Sequence, residues 1–154
     1  MSNPVDLHVG VTPSFAVTVE VRDSCVCLHA QRAARALARR YDRALRPAGL
    51  TSGQFSLLMS LNRPEPPPIG SVAALLAMDR TTLTANLKPL ERRGLLAVEP
   101  DPEDRRTRRL RLTPEGRAAL AAALPYWCAE QAETARRLGG AEPAALSRDL
   151  AALS

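Results

Sequence analysis

The sequence predicts a mainly α-helical chain interrupted by one short β-hairpin. Three observations carry that expectation. Of 154 residues, 45% are apolar but only 3% are aromatic, so the core must be built from leucine and alanine, which favour helix over strand. Several segments repeat apolar residues at helical spacing. Between residues 95 and 112 the period falls to two, on either side of a charged loop.

Residues 1–23 carry Pro4, Gly10 and Pro13, then Phe15-Ala-Val-Thr-Val-Glu-Val21, and are expected to form a loose tail with a short extended segment. From Ser24 to Arg46, Val26, Ala30, Ala33, Leu37, Tyr41 and Ala44 fall on one helical face; Arg32, Arg35, Arg39, Arg43 and Arg46 fall on the other. Pro47 and Gly49 end this helix. Thr51-Ser-Gly-Gln54 has the spacing of a capping box ahead of Phe55, Leu57, Leu58 and Leu61. In Arg63-Pro-Glu-Pro-Pro-Pro68 four of six residues are proline, which excludes both helix and central strand. Ser71 is expected to cap a short helix through Val72, Ala73, Leu75 and Leu76, with a tight break at Met78-Asp79. Asp79 is the N-cap of the next helix, about Arg80 to Arg93, and Gly94 stands at its C′ position. Leu95–Glu99 and Arg108–Leu112 then read as strands. Thr113-Pro-Glu115 supplies a cap, a first-turn proline and an early acid for a helix to about Leu138, interrupted or kinked at Pro125. A last helix follows within Glu142–Leu153.

Composition narrows the class. The net charge is +5, and Lys88 is the only lysine, so the positive charge is arginine. An arginine-rich basic domain suits a polyanion, although composition alone does not separate nucleic acid from a membrane surface. No apolar run approaches the ~20 residues that span a bilayer, and Met1–Gly10 lacks the basic and apolar regions of a secretory signal. Three cysteines, an odd and small number, fit a reducing cytosol rather than a disulfide scaffold. With two histidines, no Gly-x-Ser-x-Gly and no phosphate-cradling loop, an enzyme is not expected. No cofactor is expected either.

The middle segment, 51–113, has the layout of a helix-turn-helix followed by a β-hairpin wing. Leu83, Leu87 and Leu90 form an inward stripe on its second helix, leaving Thr81, Ala85, Lys88 and Arg92 opposite, flanked by Thr82 and Thr84. Hydroxyls and cations suit phosphates and base edges, although threonine-rich first turns also serve ordinary capping. Asn86 is expected nearer the buried side. Arg105-Arg-Thr-Arg-Arg-Leu-Arg111 places five arginines in seven residues at the hairpin, where such arms enter narrow minor grooves. Asp104 is expected to pair with Arg106 across the turn.

Residues 24–138 resemble the MarR family of dimeric winged helix-turn-helix regulators. The likeness rests on Leu50-Thr-Ser-Gly-Gln-Phe-Ser-Leu-Leu58, Asp79-Arg-Thr-Thr-Leu-Thr-Ala-Asn-Leu87 and Leu90-Glu-Arg-Arg-Gly-Leu95. Asp104-Arg-Arg106 ahead of Leu112-Thr-Pro-Glu-Gly116 completes it. The resemblance implies a helical dimerisation region, 24–50 and 114–154, around the DNA-binding domain 51–113, with 1–23 outside both. It implies a repressor that binds a pseudo-palindromic operator as a homodimer in the cytoplasm and is released by a small, often aromatic, molecule. Arg106 would be the wing-tip arginine in the minor groove, braced by Asp104. The candidates for DNA contact are therefore Arg80, Thr81, Thr82, Thr84, Lys88, Asp104, Arg105 and Arg106. Ala85 stands where many relatives have an arginine, and Pro89 removes a hydrogen bond to Ala85.

Candidates to line an effector pocket are His29, Tyr41, Met59 and Trp127, each of which also serves as plain packing. An alternative switch is thiol oxidation. Cys27, fourteen residues before Tyr41, occupies the reactive position of the hydroperoxide-sensing branch of the family, with Cys128 a candidate resolving partner. Against it, Ser52 replaces the branch's second tyrosine, Leu28 replaces an aromatic residue, and the apolar stripe favours burial of the thiol. No metal site is expected, because Cys25 and His29 share a face that Cys27 does not.

Overall fold

The computed structural model describes residues 12–153. The first eleven residues of the expected tail, His8 among them, lie outside the described residues. The chain divides into two compact units between Leu37 and Ala38, a division that falls inside the second helix.

In the first unit, α1 (Phe15–Ser24) replaces the extended segment expected there. Ser14 accepts a hydrogen bond from the Val17 N–H at its start, and Cys25 leaves the helix with ψ 103°. Alternating Val and Thr favour a strand only where a partner strand exists. Without one, the segment satisfies its backbone internally as a helix. The Cys25 thiol accepts from the Leu28 N–H at 3.4 Å, closing the first turn of α2 (Val26–Leu45).

In the second unit, a 3₁₀ turn (Arg46–Ala48) leads to α3 (Ser52–Ser60), α4 (Ile69–Leu75) and α5 (Arg80–Arg92). The hairpin β1 (Leu96–Pro100) and β2 (Arg108–Leu112) follows, then α6 (Pro114–Arg137) and α7 (Pro143–Ala151). The capping box at α3 forms in full: Thr51 Oγ1 accepts from the Gln54 N–H, and Gln54 Oε1 accepts from the Thr51 N–H. The hairpin pairs Leu96 with Leu112 and Val98 with Leu110. Leu45, Leu58, Leu83, Leu90 and Leu110 are fully buried in one leucine core shared by the end of α2, α3, α4, α5, the hairpin and α6.

Two boundaries depart from expectation. α4 begins at Ile69 with Pro68 as its N-cap, so Ser71 lies inside the helix and its hydroxyl donates to the Pro68 carbonyl. Pro68 already holds the extended conformation a cap requires, and Ile69 packs against the core. α6 runs unbroken through Pro125. Both Pro125 and Ala121, whose carbonyl loses its N–H partner, are exposed, so water can take that bond. The proline run serves as an edge: the Pro67 carbonyl accepts from the Leu110 N–H at 2.9 Å, and Pro68 bridges to Arg109. No helix among the described residues is long and apolar enough to cross a membrane.

α6 enters the core through a close approach. The Thr113 hydroxyl donates to the Gly94 carbonyl at 2.6 Å and accepts from the Gly116 N–H at 3.0 Å. Gly116 is buried there, and a Cβ on it would stand 2.0 Å from the Leu95 carbonyl oxygen. Gly116→Ala is expected to destabilise the protein by about 2 kcal/mol or more, because backbone must move to admit the methyl group. Gly53→Ala, whose Cβ meets nothing within 4 Å, should be neutral or stabilising by up to about 1 kcal/mol. Urea melts of the two variants check the contrast; equal midpoints would mean that α6 does not seat against Leu95.

Candidate nucleic-acid interface

α5 presents the apolar stripe and the polar face that its sequence dictates. Leu83, Leu87 and Leu90 are buried, while Arg80, Thr81, Thr82, Thr84, Ala85 and Lys88 are exposed. Asp79 caps the helix twice over. Its Oδ1 accepts from the Thr82 N–H at 2.8 Å and its Oδ2 from the Thr82 hydroxyl at 2.6 Å. These two bonds, the hydroxyl's foremost, hold the Asp79 carboxyl below the usual carboxylate range. The three threonines therefore differ. Thr82 completes the cap, and Thr84 returns its hydroxyl to the Arg80 carbonyl at 2.7 Å. Only the Thr81 hydroxyl among them, with the Lys88 ammonium, has no partner among the described residues. Asn86 is exposed rather than turned inward, its amide donating to the Met78 sulfur at 3.7 Å, because its position faces the turn that precedes α5.

The wing sorts its five arginines by role. Arg111 pairs with Glu99 at 2.6 Å, and Arg109 with Asp101 at 2.5 Å, each pair running diagonally across the hairpin register. Arg105, Arg106 and Arg108 are exposed, and their guanidinium groups have no partner among the described residues. The pair between Asp104 and the Arg106 guanidinium that the sequence led us to expect does not form. Asp104 accepts instead from the Arg106 backbone N–H at 3.0 Å and the Thr107 hydroxyl at 3.0 Å, a turn geometry natural to Asp. Asp104 thus shapes the tip and leaves the Arg106 charge free.

Sequence reasoning missed the residue that anchors this tip. The Asp101 side chain is only 7% exposed. Its Oδ1 accepts from the Glu103 and Asp104 N–H groups at 2.8 and 3.2 Å, while its Oδ2 takes Arg109 Nε. Arg109 Nη1 reaches on to the Pro66 carbonyl at 2.9 Å. The Glu103 N–H first, then the Arg109 guanidinium, keep the Asp101 carboxyl below its ordinary range. The Asp-Pro pair at residues 101–102 is a turn signal, but its link to Pro66 spans a separation no local pattern encodes.

A second feature lies between α3 and α6. Phe55, Ser56, Met59, Leu76, Leu124 and Trp127 line an open, mainly apolar cavity of about 400 Å³. The Phe55 and Trp127 rings stack at 6.3 Å between centroids. Of the four expected pocket residues, Met59 and Trp127 line this cavity and the other two do not. The Tyr41 hydroxyl donates to Gln131 Oε1, beside the Arg40–Glu130 ion pair. His29 belongs to the first unit and its ring nitrogen donates to the Asp23 carbonyl. Ser52 donates its N–H and hydroxyl to Asp42 Oδ1, both at 2.7 Å, and these bonds hold the Asp42 carboxyl below its usual range. Cys27, expected to be buried, is exposed, as no described residue of its unit is buried. Its sulfur accepts from the Gln31 amide at 3.4 Å. Cys128 is exposed as well.

Residues 50–107 match the MarR family. The transcriptional regulator HosA of Escherichia coli O111:H- is 38% identical over 95 residues, 60% of this chain and 69% of HosA. The fold superposes on the transcriptional regulator MosR of M. tuberculosis, crystallised with DNA, with a TM-score of 0.75 and 42% identity over 84% of this chain and 93% of that one. BpsR of Bordetella bronchiseptica, whose DNA binding is regulated by 6-hydroxynicotinic acid, matches with a TM-score of 0.68 and 30% identity over 85% of this chain and 91% of BpsR. The matches to curated relatives, all transcription regulators, span 45% to 69% of those proteins' lengths.

Replacing Arg109 tests the anchor without any ligand. In Arg109→Met the Pro66 carbonyl and the Asp101 carboxylate lose their shared partner. The Asp101 and Leu110 amides, which donate to Thr107 and Pro67 carbonyls, are expected to exchange hydrogen about tenfold faster or more, with Leu120 in α6 unchanged. Because the Asp101 pKa is depressed by folding, its contribution is full above about pH 4 and fades as pH falls through the folded value. Protection of these amides relative to their intrinsic exchange rates should fall on that acidification in the native chain, and much less in the variant. Unchanged wing exchange in the variant would sink the anchor.

Proposed function

This chain belongs to the MarR family of transcription regulators, and we propose that it binds double-stranded DNA as a homodimer, acts in the cytoplasm as a repressor, and is released by a small molecule. One observation carries the DNA reading. The free Thr81 and Lys88 face of α5 is followed, in the same unit, by a wing whose Arg105, Arg106 and Arg108 are unpaired. Unpaired arginines so close together repel one another, and phosphates relieve that repulsion. In this proposal α5 enters the major groove, where Thr81 and Lys88 meet base edges and phosphates, and Arg80, Thr82 and Thr84 frame them. The tip, shaped by Asp104, sends Arg106 into the minor groove with Arg105 on the backbone. The DNA complex of MosR supports the assignment.

Dimerisation is supported by large apolar side chains that the single chain leaves exposed. Phe15 is 81% exposed in the first unit, and Leu138, Leu146, Leu150 and Leu153 are exposed in the second. A twofold dimer implies half-sites about 34–36 Å apart. The effector site is the cavity between α3 and α6, where Met59 and Trp127 offer apolar walls to a small aromatic molecule. The control of BpsR by 6-hydroxynicotinic acid supports that chemistry.

Operator titrations across salt concentration test the reading. Arg106→Ala should weaken binding to every sequence and reduce the salt slope by about one. Thr81→Ala should instead change half-site preference, by about 1–3 kcal/mol at the affected base. Sedimentation of the complex should find two chains per operator. Unchanged affinity in Arg106→Ala would remove the wing from the interface, and one chain per operator would remove the dimer.

A second reading has one observation in its favour, the exposed Cys27 thiol. In this alternative, peroxide oxidises Cys27 to a sulfenic acid that condenses with a second thiol, Cys128 being the candidate, with loss of water. Operator binding with and without cumene hydroperoxide decides it. Release by peroxide in the native chain that disappears in Cys27→Ser establishes redox control, and release that persists in the variant excludes it.

A further inference from the structure

Two of the threonines on α5 direct their hydroxyls into the protein. Thr82 donates to Asp79 Oδ2 at 2.6 Å, and Thr84 donates to the Arg80 carbonyl at 2.7 Å. Thr84 is exposed on the face opposite the buried Leu83, Leu87 and Leu90. With its hydroxyl turned back along the helix, the group that Thr84 presents outward is its methyl. Ala85, the next residue, is exposed on the same face and carries nothing but a methyl. Together they make a small apolar patch, with Thr81 one turn before it and Lys88 one turn after.

The long side chains nearby leave the patch open. Arg80 lies one turn before Thr84, but its Nη2 stands 3.2 Å from where a Cβ on Gly70 would be. The guanidinium therefore rests against α4 rather than across the patch, in space that a glycine leaves free. The Asn86 amide is likewise engaged, donating to the Met78 sulfur at 3.7 Å.

In a major groove a methyl patch has one natural counterpart. Thymine alone among the four bases projects a methyl group there; cytosine offers an amino group, and the purines offer N7 with O6 or N6. A polar base edge pressed against two methyls would lose its water and gain no partner, so the patch also disfavours the other bases. We propose that Thr84 and Ala85 read thymine in each operator half-site through its methyl group. This rests on α5 entering the major groove, the DNA reading given above. The internal bond of the Thr84 hydroxyl is what fixes the choice, because a free threonine hydroxyl serves any base edge.

The probe is a duplex that the full chain selects from a random pool. Each half-site thymine is replaced in turn by uracil, which keeps every hydrogen-bonding group and lacks only the methyl. Affinities are measured for the native chain, Thr84→Ser and Ala85→Gly; the serine keeps the hydroxyl bond and loses the methyl. In the native chain at least one thymine should bind about fourfold more weakly as uracil, the worth of one buried methyl. That ratio should fall to one in Thr84→Ser or in Ala85→Gly. Selected duplexes that share no thymine, or thymines indifferent to uracil, overturn the methyl reading and leave DNA binding standing. A uracil penalty that survives in both variants belongs to DNA shape or another residue and overturns it too. Loss of thymine and uracil duplexes alike in both variants makes the two positions structural and overturns it as well. Failure of the native chain to enrich any duplex overturns the DNA reading and this one with it.

Discussion

The first turn of α6 lies so close to the residues that follow α5 that no side chain fits between them. Gly116 meets the Leu95 carbonyl where a Cβ would stand 2.0 Å away, and the Thr113 hydroxyl bonds the Gly94 carbonyl beneath it. That contact sets where a 24-residue helix starts and which way its faces point. Leu120 and Ala123 then enter the leucine core, Leu124 and Trp127 wall the cavity, and Glu130 and Gln131 meet Arg40 and Tyr41 of α2. Wing, cavity and α2 are thus positioned through one seam.

Charge is distributed along the wing with the same economy. The carboxylates at the loop end of its strands, Glu99 and Asp101, neutralise Arg111 and Arg109. The carboxylate at its tip, Asp104, takes backbone N–H and a hydroxyl instead of a guanidinium. Positive charge is therefore concentrated at Arg105, Arg106 and Arg108, and the loop that carries it is held by hydrogen bonds that leave it unneutralised. The Arg109 link to the Pro66 carbonyl extends this support to the proline run. A segment that cannot donate hydrogen bonds still accepts them, which is why it lies along the hairpin as an edge without forming a ladder of its own.

Polar side chains in the helical region are occupied in holding helices together. Arg40 with Glu130, Tyr41 with Gln131 and Asp42 with Ser52 tie the end of α2 to α6 and α3. Tyr41 and Ser52 are thus bonded between helices, and Phe55, Met59, Leu124 and Trp127 line the cavity.

Local chemistry determined much of this protein without tertiary information. The Thr51 and Asp79 caps, the Leu83–Leu87–Leu90 stripe, the hairpin around residues 101–107 and the Thr113-Pro114 helix start follow from side chains acting within one turn or one strand pair. The helix-turn-helix and its wing were legible for that reason, as was the concentration of arginine on the hairpin. What depends on partners distant in sequence was not. Whether residues 15–21 formed strand or helix turned on the absence of a pairing strand among the described residues. Whether Asp104 or Asp101 held an arginine turned on the diagonal register of the hairpin, and Pro66 joined that network from 43 residues away. Pro125 was tolerated because its side of α6 faces water. A side chain carries its own hydrogen-bonding capacity and shape; which group it satisfies is decided when the chain brings distant donors and acceptors to one place.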